Sequence, residues 1–282
     1  MNINNLGNLY IVATPIGNLQ DMSLRAIETL KNVNLIAAED TRHSASLLQH
    51  FSISTPLLAL HEHNERERAN TLLERLQQGE SIALISDAGT PLISDPGYFL
   101  VKEARSLGVN VIPIPGPCAA IVALSAAGLP TDRFIFEGFL PAKTKGRVDR
   151  LAALKHEPRT MIFYEAPHRI VELLEDMQTV FGKDRIVVIA RELTKKFETI
   201  RSGMLAELVE WVRNDPNQQK GELVVLAEGS SESPSNIPSQ ELLRLLLEHL
   251  PLKQAVDIAA KISGERKNEL YDLALMIKNQ KI

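Results

Sequence analysis

The sequence predicts an α/β protein with two successive α/β blocks and a short helical module at the carboxyl end. Three observations support this prediction. From about residue 9 to residue 128, short β-branched runs alternate with amphipathic stretches of helical period, as a parallel α/β sheet requires. A second block of the same kind extends from about residue 134 to residue 229, and leucines at helical spacing follow a segment rich in serine and proline. The predicted domains are residues 1–129 and 130–229, a linker 230–238, and a helical module 239–282.

The first block contains five strand candidates, which are residues 9–13, 35–38, 56–60, 81–86 and 109–114. After the first of them, Leu24, Ile27 and Leu30 recur at helical spacing behind Ser23, which is a suitable N-cap. Open α/β sheets bind their ligands at the carboxyl ends of the strands. The loops that follow the strands are therefore the candidate functional segments.

The second block contains five further strand candidates, which are residues 134–137, 160–164, 186–190, 199–202 and 222–227. Beyond the linker, one apolar stripe is formed by Leu242, Leu245, Leu246 and Leu250. Two more helices are expected after it, with a break near Ser263 and Gly264.

Composition excludes several protein classes. The chain has 282 residues, of which 44% are hydrophobic, so it is long enough to bury a sizeable core. A single cysteine excludes a disulfide framework, and no apolar run is long enough to cross a bilayer. We expect a soluble cytoplasmic protein without a membrane partner. The formal charge of −4 means that any nucleic acid must be bound by local basic patches.

The loop after the fourth strand, residues 85–97, is long for a connection between a strand and a helix. Ala88 and Gly89 would let a ligand approach the backbone closely, while Asp87 and Asp95 supply carboxylates. The alternative is that Asp95 caps the next helix and Asp87 only holds the turn. The loop after the first strand, residues 13–18, matches no phosphate-loop pattern, so it is either a ligand contact or a structural turn.

Two further features are more consistent with structural roles. Cys118 follows a proline-rich turn, but no His and Asn partner pattern accompanies it, so packing is preferred to a nucleophile. His61, Glu62 and His63 suggest a metal, but no third-ligand pattern accompanies them. A solvated helix entry is the preferred interpretation, and we predict no metal.

Seven segments together resemble the tetrapyrrole methylase superfamily and, within it, the ribosomal RNA small subunit methyltransferase I family. They are residues 13–18, 38–42, 86–97, 115–120, 163–165, 191–195 and 220–222. Gly89-Thr90-Pro91 stands where tetrapyrrole methylases have Gly-Asp-Pro, and the first loop lacks their Gly-x-Gly-Pro-Gly form. These departures favour the rRNA branch over a tetrapyrrole substrate.

The resemblance implies two α/β domains of the tetrapyrrole methylase type, with S-adenosylmethionine in the cleft between them, and a homodimer. It implies methylation of a ribose 2′-hydroxyl of a cytidine in 16S rRNA, in the decoding centre of the 30S ribosomal subunit. The residues it implies for the cofactor are Pro15, Asp87, Ala88, Gly89, Thr90, Ile93, Ser94, Cys118, Ala119 and Tyr164. A cationic sulfonium donor requires small residues and an occasional carboxylate rather than a phosphate cradle.

Methyl transfer to an oxygen requires a positioned hydroxyl and a proton acceptor. Asp40, Arg42 and Glu165 are the catalytic candidates, because each lies in or near a loop at the carboxyl end of a predicted strand. For Asp40 and Arg42 a structural ion pair is the alternative. The residues alone do not identify the base.

Residues 141–159 carry six basic and two acidic side chains, a net charge of +4. Lys143, Lys145 and Arg147 are the predicted RNA contacts, and a solvated helix face is the alternative. The carboxyl-terminal helices resemble a helix-turn-helix, for which RNA contact and packing or dimerisation both remain open.

Two other functions remain possible from the sequence. One is a methyltransferase that acts on a tetrapyrrole or another small substrate. The other is a non-catalytic RNA-binding assembly factor that has kept the fold and lost the donor.

Overall fold

The computed structural model describes residues 6–61, 64–231 and 238–279. The chain forms two compact units. One unit holds both sheets, and the other holds the segment Ala153–Arg159 together with the carboxyl-terminal helices. The predicted linker lies mostly outside the described residues, which omit positions 232–237.

The first sheet is parallel throughout, as the sequence predicts. Its spatial order is β3-β2-β4-β1-β5. The strands are β1 (Asn8–Val12), β2 (Leu35–Ala38), β3 (Leu57–Ala59), β4 (Ile82–Ile85) and β5 (Asn110–Ile114). Because β1 lies between β4 and β5, the loops after these three strands meet at one edge of the sheet.

Helices cover both faces of this sheet. They are α1 (Leu24–Asn32), α2 (Thr41–His50), α3 (Glu65–Gln77) and α4 (Tyr98–Ser106). On one face α3 and α4 bury Leu72, Leu76 and Leu100, and on the other face α1 and α2 bury Leu30 and Leu48. Ser23 caps α1 as predicted, because its Oγ accepts a hydrogen bond from the Ala26 N–H at 3.1 Å.

The second sheet has the order β6-β7-β10-β8-β9. Its strands are β6 (Phe134–Phe139), β7 (Thr160–Glu165), β8 (Ile186–Arg191), β9 (Thr199–Met204) and β10 (Leu223–Ala227). Only β6 and β7 pair in parallel within the described part of this sheet; the other three pairs are antiparallel. All ten predicted strands are present, with ends that differ by at most two residues.

Helix α5 (Ala119–Ala127) follows the first sheet along the chain but packs on the second sheet. Ala120, Ala123 and Leu124 share one core with Ile162 and Val224. The other helices of this block are α6 (Thr144–Ala153), α7 (Ile170–Phe181) and α8 (Leu205–Asn214). Because α5 begins directly after the β5 loop, it connects that loop to the face of the second sheet that contains Ile162 and Val224.

The carboxyl-terminal unit contains α9 (Ser239–His249), α10 (Leu252–Ser263) and α11 (Lys267–Asn279). Leu243, Val256 and Leu270 belong to its buried core. The break at Gly264 is confirmed, since this glycine adopts a left-handed conformation with φ of 73°. Among the described residues, no helix is both long and apolar enough to cross a membrane.

Arg147 on α6 is a buried cation, and its side chain is 1% exposed. Its Nε donates to Asp176 Oδ2 at 2.6 Å, and a second guanidinium nitrogen donates to Glu172 Oε2 at 3.1 Å. Both acceptors lie on α7, so the guanidinium joins the two helices. The Asp176 side chain is only 17% exposed and depends on this partner.

Arg147→Ala should lower the free energy of unfolding by about 3–5 kcal/mol, because it leaves the Asp176 carboxylate buried without its cation. Urea unfolding followed by circular dichroism measures the loss. The control is Arg213→Ala, which removes a half-exposed ion pair with Glu175 and Glu210 and should lower the free energy of unfolding far less than Arg147→Ala does. Equal losses in the two variants would contradict the structural role of Arg147.

Candidate active site

A cavity of about 460 Å³ lies in the unit that holds both sheets. Its wall is built from the loops at the carboxyl ends of β1, β2, β4 and β5, and from residues of β6, β7, β8 and β10. The loops of the first sheet and the strand ends of the second sheet therefore enclose one space.

Backbone hydrogen bonds join the loops that follow β1 and β4. The Thr14 N–H donates to the Gly89 carbonyl at 2.9 Å, and the Gly89 N–H donates to the Thr14 carbonyl at 3.1 Å. The hydroxyl of Thr90 extends the connection to the β5 loop, because it donates to the Pro117 carbonyl at 2.9 Å. Gly89 has φ of 85°, and a Cβ at this position would lie 3.3 Å from Ile16. A side chain at position 89 would strain the junction of the two loops.

The continuation of the β4 loop is also strained. Leu92 and Ser94 have φ values of 74° and 68°, which are uncommon for residues with a side chain. Such conformations persist only where the surroundings determine them, and they cluster at ligand sites. Ser94 lines the cavity.

Tyr164 on β7 fixes the start of α5. Its hydroxyl accepts a hydrogen bond from the Ala120 N–H at 3.1 Å, in the first turn of the helix. The ring makes edge-to-face contacts with Phe136 at 4.9 Å and Phe139 at 5.7 Å between ring centroids. Burial raises the pKa of the Tyr164 hydroxyl, so it stays neutral near physiological pH.

Three carboxylates from the first sheet line the cavity, namely Glu39, Asp87 and Asp95. Burial raises the pKa of Asp95 to about 6, although a hydrogen bond from Ser86 opposes the shift. Burial and the charge of Asp87 raise the pKa of Glu39. A cationic group in the cavity would favour the charged forms of these carboxyls.

Glu165, at the end of β7, is a fully buried carboxylate that lines the same cavity. Its Oε1 accepts from the Ala166 N–H at 2.8 Å and lies 3.2 Å from Arg169 Nε. Its Oε2 is buried and has no hydrogen-bond partner in the described part of the chain. Burial raises the pKa of Glu165, which makes its carboxylate a stronger proton acceptor.

The structure brings together most residues that the resemblance implies for the cofactor. The cavity lining includes Asp87, Ala88, Gly89, Thr90, Ile93, Ser94, Cys118, Ala119 and Tyr164. Pro15 does not line it; its neighbour Ile16 does. The sequence analysis gave no site role to Phe139, Leu193 or Glu222, although segments 191–195 and 220–222 are among those that carry the resemblance. The pairing order of the second sheet brings these residues to the cavity.

Asp40 and Arg42 lie outside the cavity lining. They form an ion pair of 3.0 Å in which the Arg42 side chain is 91% exposed. Asp40 also caps α2, because its Oδ1 accepts from the Arg42 N–H at 2.8 Å. Hydrogen bonds from Arg42 lower the pKa of Asp40 to about 2, so Asp40 is a weak base. Its backbone N–H donates to Asp87 Oδ1 at 3.1 Å, which positions a cavity carboxylate.

The predicted RNA contacts of the basic loop, residues 141–147, which lead into the first turn of α6, need one correction. Lys143 and Lys145 are exposed, as an RNA contact requires. Arg147 is buried against Asp176 and Glu172, so its guanidinium is not available to a phosphate in this structure. The structure therefore does not support Arg147 as an RNA contact and gives it the role of joining α6 to α7. The difference between an exposed and a buried helix position is not visible in a local charge count.

The predicted absence of a metal concerns His61 and two residues, Glu62 and His63, that lie outside the described residues. Among the described residues, no group of three or more His, Cys, Asp or Glu side chains is placed to hold a metal ion.

Two family models match the chain. The model described as Tetrapyrrole (Corrin/Porphyrin) Methylases matches residues 8–209, and the model described as RsmI C-terminal HTH domain matches residues 238–278. The ribosomal RNA small subunit methyltransferase I of Pseudomonas aeruginosa is 62% identical, over 95% of this chain and 97% of that protein. The chain belongs to the ribosomal RNA small subunit methyltransferase I family. Its counterpart in Escherichia coli O157:H7 is 58% identical over 96% of both chains.

Solved structures share the fold of this ribosomal RNA small subunit methyltransferase I family member. Diphthine synthase superposes with a TM-score of 0.61 at 15% identity, over 79% of this chain and 90% of that one. A uroporphyrin-III C-methyltransferase from Thermus thermophilus, complexed with S-adenosyl homocysteine, superposes with a TM-score of 0.55 at 18% identity. The match covers 79% of this chain and 98% of that one. The expected fold of the tetrapyrrole methylase type is thus confirmed.

As a member of this methyltransferase family, the chain uses S-adenosylmethionine as its cofactor. The cavity fits that donor. Ala88, Gly89 and Ala119 leave one part of the wall without long side chains, and Asp87 and Asp95 supply negative charge for a sulfonium. The methyl group is already activated in this cofactor, so the protein has to orient the acceptor and remove its proton.

The affinity for S-adenosylmethionine should increase as the pH rises through about 6, because ionisation of Asp95 adds a negative charge to the cavity. Asp95→Asn should flatten this dependence, and S-adenosylhomocysteine, which lacks the sulfonium charge, should show less of it. Calorimetric titration over a series of pH values provides the measurement.

The matched control is Asp132→Asn, which removes an exposed carboxylate outside the cavity lining. It should keep the pH dependence of the parent protein. If Asp95→Asn keeps that dependence in full, Asp95 does not face the bound cofactor.

Proposed function

We propose that the chain methylates the ribose 2′-hydroxyl of a cytidine in 16S rRNA, in the decoding centre of the 30S subunit. The names of its relatives support a small-subunit rRNA substrate. The structural observation that supports methyl transfer to a hydroxyl is the environment of Glu165. This buried carboxylate lines the cavity, and one of its oxygens has no hydrogen-bond partner among the described residues. A hydroxyl acceptor needs a base at this place, and Glu165 supplies one.

In this proposal the residues divide into two groups. The loop of residues 87–94, with Ile16 in place of the predicted Pro15 and with Cys118, Ala119 and Tyr164, binds the donor. Glu165 accepts the proton of the 2′-hydroxyl on Oε2, which is buried here and has to become accessible when the acceptor binds, while the Ala166 N–H and Arg169 hold Oε1 in place. S-adenosylmethionine, when bound, supplies the methyl group as an activated sulfonium substituent. The raised pKa of Glu165 strengthens it as a base and requires a pH high enough to ionise it.

Asp40 and Arg42 have supporting roles in the proposal. Asp40 positions Asp87 through its backbone N–H rather than through its carboxylate. Exposed ion pairs contribute little free energy, so the Arg42 guanidinium can exchange Asp40 for an RNA phosphate. Lys143 and Lys145 are the other proposed phosphate contacts.

The assembly and place of action are also proposals. We propose a homodimer acting in the cytoplasm, with residues 1–129 and 130–229 as its two α/β domains. The family resemblance supports the dimer. The two sheets, which lie before and after residue 130, support the division of the chain.

The function is tested with 30S subunits and naked 16S rRNA from a strain deleted for this gene, labelled S-adenosylmethionine, and mapping of the modified nucleotide. Wild-type protein should label one ribose. Glu165→Gln, which keeps the size of the side chain and an acceptor for the Ala166 N–H, should lower kcat by about 100-fold or more with unchanged cofactor affinity. Label on base atoms or on a small molecule only, or none with intact cofactor binding, would overturn the proposal.

The double variant Lys143→Ala with Lys145→Ala should weaken RNA binding and reduce the salt slope by about 2, because two phosphate contacts are lost. Fluorescence anisotropy with a 16S rRNA fragment at several salt concentrations measures it, and cofactor affinity should stay unchanged. The control is Lys102→Ala, an exposed lysine on α4. An unchanged salt slope in the double variant would remove the basic loop from the RNA interface.

A further inference from the structure

We propose that Phe139 is the stacking platform for the base of the acceptor nucleoside at the mouth of the cavity. This inference rests on the proposed function and assigns a specificity-determining contact to a residue that the sequence analysis did not select. Three observations carry it: an irregularity in β6, the exposure of the Phe139 ring, and the charges on either side of it.

The first observation is a β-bulge in β6. Phe136 pairs with Ile162, but Gly138 pairs with Phe163 and Phe139 with Tyr164, so Glu137 is an extra residue in the strand. Gly138 has φ of 61°, and a Cβ there would lie 3.1 Å from Ser94 Oγ. In a regular strand, Phe136 and Phe139 would point to opposite faces of the sheet. The bulge brings both rings to the face of Tyr164.

The second observation is the environment of the Phe139 ring. It lines the cavity and makes an edge-to-face contact with Tyr164, yet Phe139 is 56% exposed. An exposed aromatic ring beside a cavity offers a flat apolar surface on which a base can stack. The backbone next to Phe139 is held in place, because the Arg169 guanidinium donates a hydrogen bond to the Leu140 carbonyl at 2.8 Å. The Nε of the same arginine faces Glu165. One arginine thus fixes both the platform and the proposed base.

The third observation is the distribution of charge around Phe139. On the cavity side lie the carboxylates of Asp95 and Glu165, and on the chain after Phe139 lie the exposed Lys143 and Lys145. Phosphates are attracted to the lysines and repelled by the carboxylates. A nucleoside that is splayed out of its strand can insert its base and ribose at Phe139 and leave its phosphates at the basic loop. The ligand class is therefore a single-stranded or flipped nucleoside of RNA.

The experiment compares three variants by steady-state methylation of 30S subunits from the deletion strain. Phe139→Leu keeps an apolar side chain but removes the ring, and should raise KM for the subunits or lower kcat/KM by about tenfold or more. Phe139→Trp keeps a stacking surface and should stay within about threefold of wild type. Phe134→Leu is the matched control, since Phe134 lies on the same strand, is 40% exposed and does not line the cavity.

Cofactor affinity, measured by calorimetry, distinguishes a contact with the acceptor from a contact with the donor. It should be the same in all variants, because the ring is assigned to the acceptor and not to the donor. The inference is overturned if Phe139→Leu retains wild-type kcat/KM, or if it loses cofactor affinity in parallel. If wild-type protein itself labels no rRNA ribose, the proposed function has failed. If the wild type labels ribose and Phe139→Leu does so equally well, only the stacking role has failed.

Discussion

The site depends on the pair of backbone hydrogen bonds between Thr14 and Gly89. This pair fixes the loop after β1 to the loop after β4, and Thr90 attaches the same loop to Pro117 after β5. Backbone bonds of this kind do not depend on side-chain identity, but the close approach needs a glycine at position 89. The strained residues 92 and 94 and the start of α5 are positioned relative to this junction. The parallel sheet places the starts of the three loops at one edge, and the hydrogen bonds between the loops hold them together as one wall of the cavity.

Local patterns predicted the elements because the strands are short runs rich in apolar and β-branched residues and bounded by turn residues, and such runs are recognisable without knowledge of their partners. The strand order and the direction of pairing depend on contacts between distant residues, so periodicity could not show that β10 lies between β7 and β8. The resemblance located the loops of the first sheet, including Asp87–Ser94 and Cys118. It did not locate Phe139, whose direction is set by one extra residue in β6.

Counting charges along the sequence identified a basic segment correctly but could not predict the role of its individual residues. The count over residues 141–159 identified a basic segment, and Lys143 and Lys145 are exposed there. It could not separate them from Arg147, which is one helical turn further on and meets two acids on α7. Asp40 illustrates the same difficulty. Its carboxylate bonds to Arg42 and caps α2, while its backbone N–H donates to the cavity residue Asp87. In both cases a partner distant in sequence or a local cap decides what a charged side chain can do.

Helix α5 has a consequence for how this chain is made. Its residues are almost entirely apolar, and the core they join includes Val224 on β10, the last strand of the second sheet. The chain is synthesised from its amino end, so the first sheet can be complete before the strands of the second sheet that cover α5 have been made. During that interval the most apolar helix of the chain is exposed. The wall of the active site thus reaches its final form only after almost all of the second sheet has been synthesised.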